Sequence, residues 1–542
     1  MANAITIIIN ARIHTQAGTI AQALAVDRNG RLMAVGTESQ VLNLRGPHTK
    51  VINVNGRIVL PGFYDCHMHI LDLGLKLSQA DLSYPGVTCL KNIVDKLNDS
   101  LRANPYAKVL LGARYDQNRM DVPEHPTRHD LDAITTQIPV RIEHTSGHAA
   151  VVNSRALELL GITKDTPNPV GGEIKRDEHR EPTGLLLETA AWHNLEAIVP
   201  EPTSAESIQA LEKASNYLVS KGITSASDAC TSLDEFDSYS RASWLEKLRL
   251  RVNLMVDWAE VMANAGSEPP PKPEHLQPGR VSGHMLHVGQ AKLFSDGAIT
   301  TRTCWLTEPF ADNDSTNTGI PIYPEDELQR MIVAAHRRGW QVACHAIGDR
   351  AIEVVLDAYG EAQRQQSRPR PGHRIEHCML LNPQLIQRLR RQNIWAIGQP
   401  AFIATLGDAY ITALGVERAN RLSPFATLEN EGVAQAFSSD CPVVPGNPVD
   451  GLLAAVTRAT PSGIVLNSAE CLTMEAAVYN YTAAPAFACR NEQDRGTLET
   501  GKWADFIVMK GDLYAPIGEW QQQPEVSTVF IAGQCVHGEE LL

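Results

Sequence analysis

Leu60-Pro61-Gly62-Phe63-Tyr64-Asp65-Cys66-His67-Met68-His69 is the stretch on which the reading of the chain turns. In an extended strand alternate side chains share a face, so His67 and His69 point one way and Met68 the other. Pro61 has no N–H and Gly62 a free backbone, which suits an entry turn ahead of the strand rather than a place in a ladder. Two imidazoles on one face can grip one cation. A His-x-His also reads as a pair of packed or surface histidines, because imidazole becomes a metal ligand only where other donors converge with it. Partners elsewhere in the chain decide between the two.

From Leu60 to about Ala488 short apolar runs alternate with helix-like stretches, the pattern of repeated βα units and a parallel sheet. After the opening strand, further strands are predicted near Gly222–Asp228, Leu250–Val256, Val288–Asp296, Gln341–His345, His373–Cys378, Ile394–Gly398 and Val433–Ser439. With the opening strand they make eight, the count of an α/β (β/α)8 TIM-like barrel, whose active sites lie at the C-terminal strand ends. Those ends carry Lys292, His345, His377 and Asp440. His345 and His377 are 32 residues apart, and His377 and Asp440 63, which corresponds to one βα unit and two. Convergence on one barrel mouth requires spacing of that kind.

About 150 residues separate the first two barrel strands, far more than one helix needs, so an inserted cap subdomain over about 82–200 is expected on the active-site rim. It has strands of its own near Val109–Arg114 and Val140–His144 and glycine turns around Gly171-Gly172. The loop Ala298–Pro324, rich in Thr, Asp and Asn, has the length of a lid. Both ends of the chain are rich in short strands: Ala4–Thr15, Ala23–Val35 with Asn29-Gly30 as its hairpin signal, Lys50–Val59, and then Gly496–Met509 and Ser527–His537. The expected organisation is one β-sandwich built from residues 1–59 and 489–542 around a barrel over 60–488.

The bulk numbers narrow the function classes. Hydrophobic residues make up 43% of the 542, enough for a large interior, while the net charge of −14 is scattered without long like-sign runs. That excludes nucleic acid and anionic membrane as natural partners and leaves a small-molecule substrate. No apolar run of about 18 residues and no basic leader is present, so a cytoplasmic location is expected. The insertion and the β-sandwich each offer a surface for a homodimer. The 10 cysteines contain no C-x-x-C pair, and Cys66, Cys344, Cys378 and Cys441, each beside a strand-end residue, are expected to face outward as packed thiols.

Lys292 needs its own argument, since a free lysine with a pKa near 10.4 is protonated and repels cations. Carbamylation by carbon dioxide converts it to a carboxylate able to bridge two metals; the alternative is a lysine paired with a carboxylate such as Asp296.

Five ordered motifs then resemble a known family: Pro-Gly-Phe-Tyr-Asp-Cys-His-Met-His, Lys-Leu-Phe-Ser-Asp-Gly-Ala, His-Ala-Ile-Gly-Asp-Arg-Ala, Arg-Ile-Glu-His-Cys and Phe-Ser-Ser-Asp-Cys-Pro-Val. They are similar to the metal-dependent amidohydrolase superfamily and, within it, to the branch of N-substituted formamide deformylases, from Ile5 to about Val536. The likeness includes His144–Leu157 of the insertion and the closing Gly-Thr-Leu-Glu-Thr-Gly-Lys-Trp-Ala-Asp. The resemblance implies two divalent metals, zinc by family habit: His67, His69 and Asp440 on the buried one, His345 and His377 on the exposed one, carbamylated Lys292 bridging. It implies Asp440 as the group that takes and returns a proton while a C–N amide bond is cut.

His148 and His144 either hydrogen-bond the substrate or cap a turn; Asp116 and Arg302 are further substrate-contact candidates, with structural roles as the alternative. Asp349 and Arg350 are placed to steady His345. Deamination or cyclic-amide hydrolysis at the same site is a second enzyme reading, weakened because His345-Ala346-Ile347-Gly348 lacks the glutamate that mononuclear deaminases use. A metal-bearing binding protein without catalysis is the reading from another class.

Overall fold

The computed structural model describes residues 3–192, 194–264, 285–311 and 316–538. Eight strands form one sheet in sequence order: β1 (Phe63–Met68), β2 (Ile223–Thr231), β3 (Arg251–Asp257), β4 (Leu286–Phe294), β5 (Gln341–Ala346), β6 (Arg374–His377), β7 (Trp395–Gly398) and β8 (Gln435–Phe437). Every neighbouring pair is parallel. Past the end of β8 the ring is drawn shut, because Asp440 N donates to His67 O at 2.9 Å and His69 N to Cys441 O at 2.8 Å. The fold is the expected α/β barrel.

Most of the apolar core lies between the strands and the outer helices, where Leu254, Val342, Ile375 and Ile352 are fully buried. The barrel interior is unusual for one of its type, which normally stacks branched aliphatic side chains. A belt of amides crosses it: Asn253 Nδ2 donates to Ser227 Oγ (3.1 Å) and Gln290 Oε1 (3.0 Å), and Gln290 Nε2 to Gln341 Oε1 (2.9 Å). Amides joined this way tie four neighbouring strands together, although Asn253 Oδ1 is left without a hydrogen-bond partner. Directly after β1 the helix Ile70–Lys76 crosses the helix Ser204–Ser220 so closely that a Cβ on Gly74 would lie 2.0 Å from Ala210 O.

Between β1 and β2 rises a second, six-stranded sheet, in the order Gly172–Arg176, Pro182–Glu188, Ala149–Val152, Val140–His144, Leu110–Tyr115, Ala80–Asp81. Gly172 opens a strand here rather than closing a turn. The two chain ends meet in a third sheet, where Ile58–Pro61 pairs antiparallel with Phe506–Lys510; a four-stranded sheet of N-terminal strands packs on it through Ile8, Leu24, Phe506 and Phe530. The long strand expected over Ala4–Thr15 is broken into Thr6–Ile9 and Arg12–His14, one in each sheet. Asn10 makes the break with a left-handed φ of 52°, a conformation Asn tolerates better than most residues.

The loop after β4 is packed rather than loose. Thr300, Thr303, Cys304 and Phe310 are buried, and its two arms bond to each other through Ile320 N to Thr303 O (2.9 Å) and Leu306 N to Thr318 O (2.8 Å). Residues 312–315 of that loop lie outside the described residues. All four cysteines next to strand-end residues are buried free thiols. Among the described residues no helix is long and apolar enough to cross a membrane.

Candidate metal centre

The centre is built at the C-terminal rim of the barrel. His67 and His69 leave β1 on one side of the strand, as alternation requires. On β6 alternation works differently: Arg374 and Glu376 share the inward face, and His377, next in sequence, would point outward. A left-handed φ of 70° at His377 turns its imidazole back to the mouth, and Asp440 beyond β8 is left-handed too, at 58°. Such conformations cost roughly 1–3 kcal/mol each in a non-glycine residue, and the surrounding ladder holds them.

His67, His377 and Asp440 bring one donor atom each to within 4.8 Å of one another. His69 Nε2 lies 3.2 Å and His67 Nε2 3.4 Å from Asp440 Oδ1. His345 packs on the far side of His377, ring centres 4.4 Å apart. The tight triad therefore takes two residues, His67 and Asp440, from the buried-metal set that the resemblance implies and one, His377, from the exposed-metal set, with His69 and His345 on its flanks.

Partners fix which ring nitrogen is free. His67 Nδ1 is held by Glu376 Oε2, and His377 Nδ1 donates to Gln399 Oε1 at 2.9 Å, while Gln399 Nε2 donates to Ser438 Oγ at 2.9 Å. Both rings thus offer Nε2 to the centre. His345 is reversed: its Nε2 donates to Gly297 O at 3.2 Å, which leaves Nδ1 as its lone pair. Buried Asp440 Oδ1 has no hydrogen-bond partner. A dry carboxylate oxygen facing imidazole lone pairs is a donor set that a divalent cation completes, so these residues fit a metal ion.

The charges of three of the four rings agree with that fit, while at His69 burial pulls the pKa down but Asp440 pulls it up, with a net rise. Burial pushes the pKa of His67 and His345 down and that of His377 to about 3, which keeps the rings neutral as ligands must be. Burial would raise Asp440, but the His69, His377 and His67 imidazoles hold it well below the usual carboxylate range. Lys292 is 1% exposed, its Nζ 3.8 Å over the Phe294 ring and 3.4 Å from Leu293 O. Burial lowers its pKa. The pairing of Lys292 with Asp296 is not found. Asp296 instead accepts the N–H groups of Gly348 (2.9 Å), Trp305 (2.9 Å) and Ile347 (3.1 Å), and burial carries its pKa to about 7. Nor do Asp349 and Arg350 steady His345: Asp349 accepts Thr307 N, and Arg350 pairs with Glu325 and Glu353.

A cleft of about 270 Å³ opens onto the centre, lined by His69, His148, Phe294 and Trp192 and by the charged Lys76, Arg141 and Glu143. His148 comes from the inserted sheet. Its ring centre is 5.1 Å from that of His345, and Nδ1 bonds buried Glu188 Oε2 at 2.7 Å, which leaves Nε2 as the ring's remaining polar atom. His144 sits behind, its Nδ1 2.8 Å from Ser146 Oγ and its Nε2 3.7 Å from Asp116 Oδ1. Neither His144 nor Asp116 lines this cleft, and Arg302 lines a separate one with its guanidinium on the carbonyls of Ile299 and Thr300 at 3.2 and 3.1 Å. Glu376, Arg374, Gln399 and Glu188 escaped the reading of the sequence. The alternation Arg374-Ile375-Glu376 inside an apolar strand was the signal for the first two.

A parallel eight-stranded barrel whose mouth gathers imidazoles and a buried aspartate around one point is the frame of a metal-dependent hydrolase. The chain belongs to the amidohydrolase family, whose model matches residues 50–537. It is 33% identical to the amidohydrolase-type protein YtcJ of Bacillus subtilis (strain 168) over 502 residues, covering 91% of each chain. It is 29% identical to the N-substituted formamide deformylase of Arthrobacter pascens over 517 residues, 93% of each. Among solved structures, an uncharacterized metal-dependent hydrolase from Pyrococcus horikoshii OT3 superposes with a TM-score of 0.74 at 25% identity, over 94% of this chain and 98% of that one.

Proposed function

We propose that this hydrolase cuts a C–N amide bond, other than a peptide bond, in a small organic molecule, with N-substituted formamides as the leading substrate class. The observation that carries the reading is the triad of His67, His377 and Asp440 within 4.8 Å, with the outward nitrogens of both rings already committed. The substrate class leans on the likeness to the Arthrobacter deformylase over 93% of both chains.

Two divalent ions, zinc by the chemistry of the donors, are proposed at the centre, held by His67, His69, His345, His377 and Asp440 and bridged by carbamylated Lys292. Carbamylation needs the neutral amine, which adds to carbon dioxide and loses a proton. Burial favours that form, and among the described residues no carboxylate is hydrogen-bonded to Nζ. Bound cations supply Lewis acidity that polarises a carbonyl and acidifies water.

The chain's own groups do the rest. Asp440 Oδ1, ionised and beside the His69 and His67 imidazoles, takes the proton of the attacking water and returns it to the departing amine nitrogen. Phe294 and Trp192, ring centres 6.1 Å apart, give the cleft an apolar wall against which the substrate can pack. His148 Nε2, steadied through Nδ1 by Glu188, orients the substrate from the opposite rim.

The test is metal content per chain by elemental mass spectrometry, on protein purified without chelators and with bicarbonate present, followed by turnover of a panel of formamides, other amides and lactams. About two ions per chain and formamide cleavage are expected. One ion with deamination would replace the reading with a mononuclear deaminase, and a metal-replete protein that cleaves nothing would end it.

A further inference from the structure

The inside of a barrel of this type is normally filled with branched aliphatic side chains, yet β6 places Arg374 and Glu376 there, both 0% exposed. A buried ion pair is a poor device for stability alone, since well-packed apolar residues of the same volume often do as well or better. Its partners show another task. Glu376 Oε1 accepts Arg374 Nε at 2.5 Å; Oε2 accepts an Arg374 terminal nitrogen at 2.7 Å and also holds His67 Nδ1. The same Arg374 nitrogen donates to Cys66 O at 2.7 Å, on the residue before His67, and the other terminal nitrogen reaches Cys489 Sγ at 3.3 Å. Arg374 therefore grips both the carboxylate and the backbone of the strand whose imidazole that carboxylate orients.

The consequence is chemical. With Nδ1 donating to an ionised carboxylate, the lone pair of His67 is confined to Nε2, 3.4 Å from Asp440 Oδ1, and the ring becomes a stronger electron donor. His377, the other imidazole of the triad, is oriented by the neutral amide of Gln399. The two rings are thus tuned differently.

We infer that Glu376, held by Arg374, is a positioning residue that fixes the tautomer of His67 and strengthens it as a metal donor, so that the centre's affinity for a divalent cation is set from inside the barrel. The inference rests on His67 being a ligand.

The test compares the full-length protein with Glu376→Gln, which keeps the volume and a neutral acceptor, and Glu376→Met, which keeps neither charge nor acceptor. Three quantities are read: the zinc dissociation constant by chelator competition, the visible spectrum of the cobalt(II) form, and the unfolding temperature of the metal-free protein. Zinc binding should weaken on the order of 10- to 100-fold in Glu376→Met and less in Glu376→Gln, with altered cobalt bands in both. Because Glu376→Met leaves Arg374 unpaired, the double variant Arg374→Met/Glu376→Met, with no buried charge, serves if the single one does not fold. Unchanged zinc affinity in the folded variants would overturn the inference, even if the metal-free protein melts earlier, for that outcome describes a merely structural pair. An unsubstituted protein that binds no metal would overturn both this inference and the proposed function.

Discussion

The barrel and the inserted sheet both present histidines to the same cleft, but on different terms. His67, His345 and His377 stand at the ends of strands, and each has one ring nitrogen committed to a group of the barrel itself, namely Glu376, Gly297 O and Gln399. His148 arrives on the turn between two inserted strands, and its partner Glu188 belongs to the same insertion. The proposed metal donors are thus set by ladders, while His148, proposed to orient the substrate, sits on a separate inserted sheet. Metal binding and substrate orientation should accordingly separate under mutation.

The sharpest break is expected at Asp440. Asp440→Asn should keep most of the metal and lose turnover on the order of 10³-fold, measured as kcat alongside elemental analysis; unchanged kcat would remove Asp440 from proton transfer. Lys292→Ala comes next. It should lower the metal from about two ions per chain to about one and regain part of its activity with added short carboxylates, whereas full metal and activity would show that no carbamate is needed. On the inserted side, His148→Ala should raise KM roughly tenfold, the loss of about 1.4 kcal/mol of substrate hydrogen bonding, with metal content unmoved. If that variant loses metal as well, the division between the two regions fails.

A further effect, on stability rather than on turnover or binding, concerns how the regions are joined. Lys76, on the helix after His69, pairs with Asp72 at 2.6 Å and with Glu143 of the inserted sheet, and Glu143 also accepts Arg141 at 2.8 Å. Burial works against ionised Glu143, but Lys76 and Arg141 bring its pKa from 4.5 down to about 2. A carboxylate lowered in the folded state stabilises fully above its unfolded value and loses that contribution as pH falls toward its folded one. Glu143→Gln should therefore cost roughly 2 kcal/mol at pH 7, and the gap to the unsubstituted protein in thermal melts should close between about pH 4.5 and 2. A gap that persists at pH 2 would assign the loss to packing.

Much of this was legible in the residues. The barrel strands announced themselves as short apolar runs at βα spacing, and the strand-end donors fell at their C-terminal ends, because a parallel ladder leaves little freedom over where a strand stops. What the pattern could not show was direction. Alternation sends Glu376 and His377 to opposite faces, and only a backbone turn at φ 70° brings both to one centre; sequence carries no mark of it. Asp116 and Arg302 illustrate the same gap from the other side. Both lie in segments around the rim, yet their side chains close on their own loops, one on Asn118 N at 3.0 Å and the other on Ile299 O. The pairing of Lys292 with Asp296 was plausible at a separation of four, but three backbone amides reach Asp296 instead.

The pairing of Ile58–Pro61 with Phe506–Lys510 has a consequence for how the molecule comes into being. The first of these strands runs almost directly into the one that bears His67, while its partner leaves the ribosome some 450 residues later. At ordinary rates of translation the interval is on the order of tens of seconds. Throughout it the edge of Ile58–Pro61 that Phe506–Lys510 will cover stays unpaired, at the end of the first barrel strand away from the metal centre.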